Sequence, residues 1–450
     1  MENDVGWLSK FFSRKDEDED VDPSNLSLIE GGGARTGADR TSHFPRFHGS
    51  ATDQLRGFRG GPEDRVRLKL RDAFTPAQPV ADIQHLAGRT AVLRSLIRSL
   101  EDQRLHVVLY GERGIGKTSL LRALTELGHE AQYLVRYTSC GEESDFGALF
   151  RSVIETIPLL YHADHDPTAA EIEQGKALDS LLPAGPLSAN QISDLFSRLS
   201  GTRLLIILDE FDRSPHSGFR RSIAELIKNL SDRSIRVQLV IAGVASNLAE
   251  LVEHIPSIRR NIFGLRVPAM DAAEVRQMIE IGENASGMTF DEKAVQLIIS
   301  FSCGSPYLAS LLGQHAGMSA IDRGVREAGM VDVAEAVRIA VDEIEQRVSE
   351  RSVETIRRAF AEGQDYALAT LARIAMTHGG RLDTKSGEQA SVCAHAIAEA
   401  GLPYDLVVPI GNPQDGRYEF REEGLPTYLW MLVAREQVDD PLKAVSRIGG

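Results

Sequence analysis

A chain of 450 residues is long enough for about two to four domains, and its composition, 42% hydrophobic and 26% charged, is typical of globular proteins. No apolar stretch reaches the length of a membrane span, so an integral helical membrane protein is not expected. The formal net charge of −15 argues against broad electrostatic binding to nucleic acid. Three widely separated cysteines predict inert thiols and a reducing, cytoplasmic location rather than a metal site.

Residues 1–62 predict a disordered acidic and glycine-rich tail. Asp16–Asp20 is a run of acidic residues, and Gly31–Gly33 is a run of glycines, which is typical of flexible chain. Few apolar residues recur with any period in this segment. Folded structure is expected to begin near residue 63.

Residues 63–266 predict an α/β nucleotide-binding core. Short apolar runs rich in branched residues alternate with amphipathic helical patterns, which is typical of a parallel sheet with helices on both faces. The proline-containing residues 158–190 interrupt this alternation and predict an irregular insertion. The predicted strands are His106–Tyr110, Ala131–Tyr137, Leu204–Leu208 and Val237–Ala242, and the predicted helices are Thr90–Leu100, Ser119–Leu127, Phe146–Ile157 and Gly218–Leu230.

The segment between the first of these strands and the helix that follows it fits the P-loop pattern G-x-x-x-x-G-K-[ST] at every fixed position. Glycines let the backbone curve until several N–H groups point at one anion, and the helix N-terminus adds partial positive charge. Lys117 is expected to reach the β- and γ-phosphates of ATP, and the Thr118 hydroxyl is expected to ligate Mg²⁺. A purely structural glycine turn does not need a lysine and a threonine at this offset. The predicted nucleotide-binding residues are Gly111, Glu112, Arg113, Gly114, Ile115, Gly116, Lys117, Thr118 and Ser119.

A second motif ends the apolar strand Leu204–Leu208. Asp209 and Glu210 follow it directly, at the edge where α/β sheets bind ligands. Asp209 is expected to hold Mg²⁺, directly or through water, and Glu210 to polarise the attacking water that phosphoryl transfer requires. Two acids that merely solvate a turn are the alternative, and the preceding P-loop favours the catalytic interpretation. Asp212 and Arg213 are expected to be loop charges.

Helical patterns dominate the next part of the chain. Asp271 and Asp291 are suitable N-caps for two helices, and a third is expected to begin at Pro306, because proline fits the first turn of a helix. Residues 267–330 are therefore expected to form a helical lid. One largely continuous apolar stripe then predicts a single connecting helix over residues 331–362.

Residues 363–450 predict a winged-helix-like domain, in which helices Tyr366–His378 and Gly387–Ala400 precede a β-hairpin. The second helix would read bases if this domain bound DNA. It carries two glutamates and a histidine and no lysine or arginine, whereas base recognition favours cationic and amide side chains. A winged helix that serves packing or switching is therefore favoured.

Together these segments resemble the AAA+ ATPases of the origin-recognition and STAND (signal-transduction ATPase) neighbourhood, over residues 66–320 and, in outline, over the C-terminal domain. The resemblance implies that ATP and Mg²⁺ bind between the α/β core and the helical lid. Gly88 and Arg89 match the box that packs near the adenine in similar proteins. Pro306 lies in a G-x-P motif whose proline packs against the base, although an ordinary helix start explains it equally. No lid arginine of the sensor-2 type is evident, which favours a STAND-like switch.

The same resemblance implies two further roles. Ser246 or Asn247, after the sensor-1-like strand, would sense the γ-phosphate or orient water, with an ordinary helix N-cap as the alternative. Arg260, followed by Asn261, falls where similar proteins carry an arginine finger that acts on a neighbour's nucleotide. A surface arginine on a loop is the alternative there. The predicted catalytic residues are Glu210, Ser246 and Arg260.

Two functions remain open on the sequence. The first is an ATP-hydrolysing switch that acts on a protein partner or on its own oligomer. The alternative is a DNA-binding ATPase of the replication-initiator or transposition-accessory type, which the winged-helix pattern favours and the acidic charge opposes. A scaffold that binds ATP without turnover is a third, and the presence of Lys117, Asp209 and Glu210 argues against it. A DNA affinity that falls steeply with salt would separate the first two.

Overall fold

The computed structural model describes most of the chain from Gly61 to Asp439, within the compact unit formed by residues 51–450. The predicted tail, up to residue 60, and the predicted sensor residues Ser246 and Asn247 lie outside the described residues. The residues that the structure describes are 61–80, 83–166, 168, 170, 173–214, 216–245, 248, 258–378 and 380–439.

A five-stranded parallel sheet forms the centre of the α/β core, and the predicted fold class is confirmed. Its strands are ordered β2-β3-β4-β1-β5. All six residues of β3 are buried, as expected of a parallel strand covered on both faces. The fifth strand was not predicted from the sequence. The strands are His106–Gly111 (β1), Leu134–Ser139 (β2), Leu204–Asp209 (β3), Val237–Val244 (β4) and Ile262–Arg266 (β5).

Different helices cover the two faces of this sheet. Val107 and Leu109 of β1 lie in one apolar cluster, whereas Val108 lies in another, because successive side chains of a strand point to opposite faces. The first face is covered by α2 (Thr90–Glu101) and α3 (Lys117–Glu130), and the second by α4 (Phe146–Ile154), α5 (Ala189–Phe196) and α6 (Ser217–Asp232).

The insertion before β3 is largely irregular, as predicted, with short 3₁₀ turns at Leu159–Tyr161 and Leu178–Leu181. Helix α5 follows it and was missed. Its signal is a capping box in which the Ser188 hydroxyl accepts from the backbone N–H of Gln191, while the Gln191 side chain accepts from the backbone N–H of Ser188.

The segment predicted to be the lid, residues 267–330 and called the lid below, is largely helical, and both predicted caps are present. The Asp271 side chain accepts a hydrogen bond from the backbone N–H of Glu274 at 2.8 Å, and the Asp291 side chain accepts one from Ala294 at 2.6 Å. Pro306 occupies the first turn of its helix. The lid elements are α7 (Ala272–Ser286), β6 (Thr289–Phe290), α8 (Glu292–Ser302), α9 (Pro306–Asp322) and β7 (Glu327–Ala328), and α1 (Pro62–Ala73) packs against α7 and α9.

Phe74, which directly follows α1, anchors the N-terminal segment in the lid. A Cβ atom on Gly282 of α7 would lie 2.2 Å from its ring, and one on Gly313 of α9 would lie 2.7 Å away. The carbonyl oxygen of Phe74 accepts a hydrogen bond from Gln314 Nε2 at 2.6 Å. Residues 75–80 are therefore held beside the lid.

The single connecting helix predicted for residues 331–362 is wrong, since two helices occupy this stretch. They are α10 (Met330–Glu345) and α11 (Glu350–Ala361). Ser349 caps α11, and its own backbone N–H donates to Glu422 Oε2 at 2.9 Å. The apolar stripe continues across the break, which is why its periodicity did not reveal a second helix.

The C-terminal part contains the predicted hairpin, extended by a third strand. The antiparallel sheet has the order β8-β10-β9. A final helix, not predicted, packs on α10, and Trp430 Nε1 within it donates to the carbonyl oxygen of Phe301 in α8 at 2.7 Å. The winged-helix interpretation stays a prediction. The elements are α12 (Asp365–His378), β8 (Arg381–Asp383), α13 (Ala390–Ala396), β9 (Val407–Pro409), β10 (Arg417–Phe420) and α14 (Leu425–Asp439).

The three cysteines are free thiols. Burial raises the pKa of Cys140 and of Cys303 to about 12 and that of Cys393 to about 11. All three thus stay protonated at neutral pH, when the thiolate is the reactive form. In the part of the chain that is described, no helix is long and apolar enough to cross a membrane.

The slot around Phe74 predicts a stability effect. Gly313→Ala should lower the free energy of unfolding, because overpacking costs about 1–3 kcal/mol and alanine returns only about 0.5–1 kcal/mol of helix preference. Gly218→Ala in α6 is the control, since no atom lies within 4 Å of a Cβ there. Urea unfolding followed by circular dichroism measures both variants. Equal midpoints would refute the slot.

Candidate nucleotide-binding site

The P-loop connects β1 to α3 through three glycines, Gly111, Gly114 and Gly116, whose positive φ angles favour this residue. Gly111 has a φ of +156°, and a Cβ atom there would lie 2.9 Å from the carbonyl oxygen of Val267. Gly116 caps α3 with a φ of +92°. Glycine adopts such values without a side-chain clash, so the chain makes the abrupt strand-to-helix turn that places a helix N-terminus at an anion site.

Lys117 spans the loop from the first turn of α3. Its Nζ donates to the carbonyl oxygens of Gly111 at 2.9 Å and Glu112 at 2.6 Å. The side chain is 9% exposed, and burial lowers the pKa of Lys117 to about 8, while Asp212 and Asp209 oppose that shift. A buried ammonium whose hydrogen bonds within the described part of the chain go to carbonyl oxygens, not to a carboxylate, is poised to bind a phosphate anion.

Asp209 and Thr118 meet at the end of β3, as the two motifs predict. Asp209 Oδ2 accepts from Thr118 Oγ1 at 2.8 Å and from the Tyr137 hydroxyl at 2.5 Å. Asp209 Oδ1 accepts the backbone N–H of Glu210 at 2.8 Å. The carboxylate is 3% exposed, so three hydrogen bonds orient it.

The oxygen atoms of Thr118 and Asp209 suit a magnesium ion. Mg²⁺ prefers one or two carboxylates together with substrate phosphates and water rather than a closed protein cage. Thr118 and Asp209 supply one hydroxyl and one carboxylate in contact with each other. Within the described ranges no group of three or more histidine, cysteine or acidic side chains could hold a metal by itself. The site therefore fits Mg²⁺ bound jointly with a phosphate.

Tyr137 was not foreseen as a site residue. In the register of β2 and β3, Tyr137 pairs with Ile207 and Ser139 pairs with Asp209. The long phenol reaches diagonally to the acid two positions along, which aromatic side chains on neighbouring strands can do. Burial and the hydrogen bond to Asp209 raise the pKa of Tyr137, so this hydroxyl remains a donor.

Glu210 lies just beyond β3, with a left-handed φ of +54°. Its Oε2 accepts a hydrogen bond from Arg213 Nη1 at 2.9 Å. The two side chains are 45% and 58% exposed, respectively, and both line the cavity described below. Arg213, expected to be a loop charge, is thus the immediate partner of the predicted catalytic glutamate.

Asp212 has a positioning contact that the sequence analysis also missed. Its Oδ1 accepts the backbone N–H of Val244 at 2.7 Å. This hydrogen bond ties the turn after β3 to the end of β4, the strand that resembles sensor 1. Ser246, predicted to act beyond that strand end, lies outside the described residues.

Arg89 joins the P-loop to the chain that enters the lid. Its Nη1 donates to the carbonyl oxygen of Pro268 at 2.9 Å and its Nη2 to that of Ile115 at 3.0 Å. The side chain is 2% exposed, and burial lowers its pKa, an effect that Glu274 opposes. Gly88 beside it donates its N–H to Gln277 Oε1 at 3.0 Å. Arg89 therefore acts on the loop as a structural brace.

A cavity of about 420 Å³ lies at the P-loop. The P-loop and the turn after β3 form one wall, and the lid residues Met278, Pro306, Tyr307 and Ser310 form another. Residues 75–80, which begin with a turn closed by a hydrogen bond from Gln78 N–H to the Thr75 carbonyl oxygen, form a third wall, and the backbone N–H of Val80 donates to Ser119 Oγ at 3.2 Å. Among the predicted nucleotide-binding residues, those lining the cavity are Arg113, Gly114, Gly116, Lys117, Thr118, Ser119 and Pro306, whereas Gly88, Arg89, Gly111, Glu112 and Ile115 are not part of its lining.

The C-terminal part of the chain also reaches this cavity. Glu423, just before α14, lines the cavity and forms an ion pair with Arg113 of the P-loop. Arg347, after α10, donates to the Tyr307 hydroxyl at 2.9 Å and lies over its ring. These contacts join segments far apart in sequence, so no local pattern predicted them.

Arg260 is exposed on the turn before β5. It is not among the described residues that line this chain's own cavity. The structure thus keeps it apart from the Lys117 and Asp209 cluster of the same molecule.

The sequence of this site region matches a known protein family. The sequence profile of the AAA ATPase domain matches residues 85–241, a range that contains the P-loop, Asp209 and Glu210. No curated protein matches the chain significantly.

Several solved structures are similar to the chain. They include a Walker-type ATPase of Pyrococcus abyssi (15% identity, 78% of this chain and 98% of that chain, TM-score 0.47). Another is the Aeropyrum pernix Orc1 protein in complex with DNA (16% identity, 84% of this chain and 98% of that chain, TM-score 0.44). A third is a variant of Thermotoga maritima RuvB (17% identity, 76% of this chain and 95% of that chain, TM-score 0.41). The profile match, together with the P-loop geometry, shows that residues 85–241 of this chain form an AAA ATPase domain.

Proposed function

We propose that the protein is an ATP-driven molecular switch that acts on a protein partner or on its own oligomer. ATP with Mg²⁺ would occupy the cavity between the α/β core and the lid. The observation that carries this proposal is that P-loop, lid and C-terminal residues line one cavity, as Lys117, Pro306 and Glu423 do. A ligand in this cavity would contact the α/β core, the lid and the C-terminal part of the chain, which are the parts that a switch has to couple.

The chemistry of hydrolysis is assigned to residues at the end of β3. Lys117 would hold the phosphates, and Thr118 with Asp209 would hold Mg²⁺, which shields charge on the transferred phosphoryl group. Glu210 would orient the attacking water and accept its proton. Tyr137 and the backbone N–H of Glu210 keep the Asp209 carboxylate oriented.

The conformational output is assigned to the lid together with the C-terminal helices. A ligand shifts such an equilibrium only by its difference in affinity for the two states. The Arg113–Glu423 ion pair is exposed, so it contributes little to stability. A nucleotide phosphate that draws on Arg113 would therefore loosen the C-terminal contact at small cost.

A DNA-binding ATPase is the second candidate. One observation favours it: Arg381, Lys385 and Arg417 lie on or beside β8 and β10, where a wing would approach a DNA backbone. Against it, His395 and Glu399 of the predicted recognition helix pair with each other at 3.0 Å, and the chain is acidic overall. The protein-directed switch is therefore preferred.

A trans-acting role is proposed for Arg260. It is exposed and lies away from its own cavity, which suits a guanidinium that reaches a neighbouring subunit's nucleotide. We expect the assembly to act in a reducing cytoplasm, in keeping with the free thiols.

Lys117→Ala should abolish nucleotide binding, because it removes the buried cation from the loop. With the pKa of Lys117 at about 8, the wild-type affinity should also fall as pH rises above 8, by up to about tenfold per pH unit, since binding then requires proton uptake. Equilibrium titration with a fluorescent ATP analogue measures both effects. Lys228→Ala, an exposed lysine of α6, is the control, and unchanged binding by Lys117→Ala would refute the P-loop assignment.

Glu210→Gln should bind ATP and lose turnover by about 10²-fold or more, as loss of general base catalysis implies. Phosphate release in single-turnover and steady-state assays tests this expectation. Mixing Arg260→Ala with Glu210→Gln subunits should restore part of the turnover if the arginine acts in trans. Full activity of Glu210→Gln would remove this glutamate from the mechanism, and assembled but inactive mixtures would remove Arg260.

The Glu210→Gln protein should assemble with Mg·ATP and remain smaller with ADP. Size-exclusion chromatography with light scattering measures the mass in each nucleotide, and a parallel run includes short duplex DNA. Assembly that ignores DNA supports the protein-directed switch. Co-elution with DNA that fades as salt rises supports the second candidate instead, because phosphate contacts weaken steeply with salt.

A further inference from the structure

Arg213 and Glu210 form an ion pair inside the candidate active site. The guanidinium Nη1 lies 2.9 Å from Glu210 Oε2, and the two residues are separated by a single 3₁₀ turn, Phe211–Arg213. Both side chains line the same cavity as Lys117 and Thr118. The pair therefore lies where an attacking water and a terminal phosphate have to be accommodated.

The surroundings of Arg213 are strongly acidic. The hydrogen bond and the charge of Glu210 make the largest contributions to raising the pKa of the Arg213 guanidinium, and the charges of Glu142 and Asp212 add to them. The guanidinium is thus permanently charged and attracted to whichever anion in reach carries most charge. Both partners are well exposed, and exposed ion pairs are held only weakly.

The two roles of Glu210 conflict. A carboxylate that accepts a proton from water needs an oxygen that is free to contact that water. The Arg213 guanidinium occupies Oε2 with a hydrogen bond of 2.9 Å and draws the carboxylate toward itself. Oε2 becomes available to a water molecule only if Arg213 leaves it.

The terminal phosphate of ATP is a competitor for this guanidinium. It carries more negative charge than a carboxylate, and its oxygens match the planar fork of arginine. ADP has no γ-phosphate, and its β-phosphate belongs to the P-loop and Lys117. ATP alone can therefore draw Arg213 away from Glu210.

We propose that Arg213 is a γ-phosphate contact supplied by the same chain, and that it moves between Glu210 and the terminal phosphate of bound ATP. The transfer makes the site distinguish ATP from ADP and releases Glu210 for water activation only when a γ-phosphate is present. This inference rests on the proposed ATPase function of the site. It is separate from the trans role of Arg260, which lies outside the cavity.

Affinities for ADP and for adenylyl imidodiphosphate, a slowly hydrolysed ATP analogue, test this inference in full-length protein with Mg²⁺. Arg213→Gln should weaken the analogue about tenfold and change ADP less than about twofold. Arg213→Lys, which keeps the charge and loses the fork, should fall between wild type and Arg213→Gln. Arg221→Gln is the matched control, because Arg221 is exposed on α6 and does not line the cavity.

A double-mutant cycle separates transfer from simple charge effects. Glu210→Gln should tighten analogue binding, since Arg213 is no longer held by a carboxylate. In the Glu210→Gln/Arg213→Gln protein this gain should vanish. A gain that persists in the double variant would show that Glu210 acts through its charge alone, and the transfer would be overturned.

Two other results would also overturn the inference. Equal loss of analogue and ADP affinity in Arg213→Gln would indicate a general effect on the cavity, and no loss would indicate no contact. Wild-type protein that binds neither nucleotide would instead refute the ATPase proposal on which the inference rests, so the two failures are distinguishable. Circular dichroism of each variant verifies folding, and Arg213→Lys carries the test if Arg213→Gln unfolds.

Discussion

The buried ammonium group of Lys117 is the constraint on which the site depends. Its hydrogen bonds go to two carbonyl oxygens of the loop that surrounds it, and burial makes its charged form less favourable. The loop must therefore keep its shape around the lysine, which the glycine conformations at 111 and 116 permit and the Arg89 brace on Ile115 enforces. A phosphate placed there would offset the cost of the buried charge, so the site favours an anion before any side chain moves.

The same sheet edge sets the acidic half of the site. Because β2, β3 and β4 are parallel, their C-terminal ends lie at one edge of the sheet. There Asp209 accepts hydrogen bonds from Thr118 and Tyr137, and Asp212 links the turn after β3 to β4. An acid so constrained cannot rotate freely, whereas Glu210, one residue further, is exposed and paired with the exposed Arg213. The edge thus places a buried, hydrogen-bonded carboxylate beside an exposed one, and the proposed function assigns the first to Mg²⁺ and the second to the attacking water.

Much of this arrangement was predictable because it is local. The P-loop, the four predicted strands and the lid caps are each written in a few consecutive residues, and the structure contains all of them. Tyr137, Asp212 and Glu423 were missed because they reach the site through strand register or through contacts between distant segments, which leave no periodic signal. The break between α10 and α11 was missed for a different reason: a serine cap interrupted a stripe whose apolar spacing did not change.

The distribution of the apolar core indicates which parts would move together. One cluster runs from Leu70 through the lid to Ala434 of α14, whereas the two faces of the sheet have clusters of their own. Phe74 and Trp430 lock α1 and α14 to the lid by buried contacts, which are costly to break. The Arg113–Glu423 contact between this body and the P-loop is of another kind, since it is an exposed ion pair that costs little to break. Closure of the predicted lid on a nucleotide would therefore carry the C-terminal helices with it as one unit.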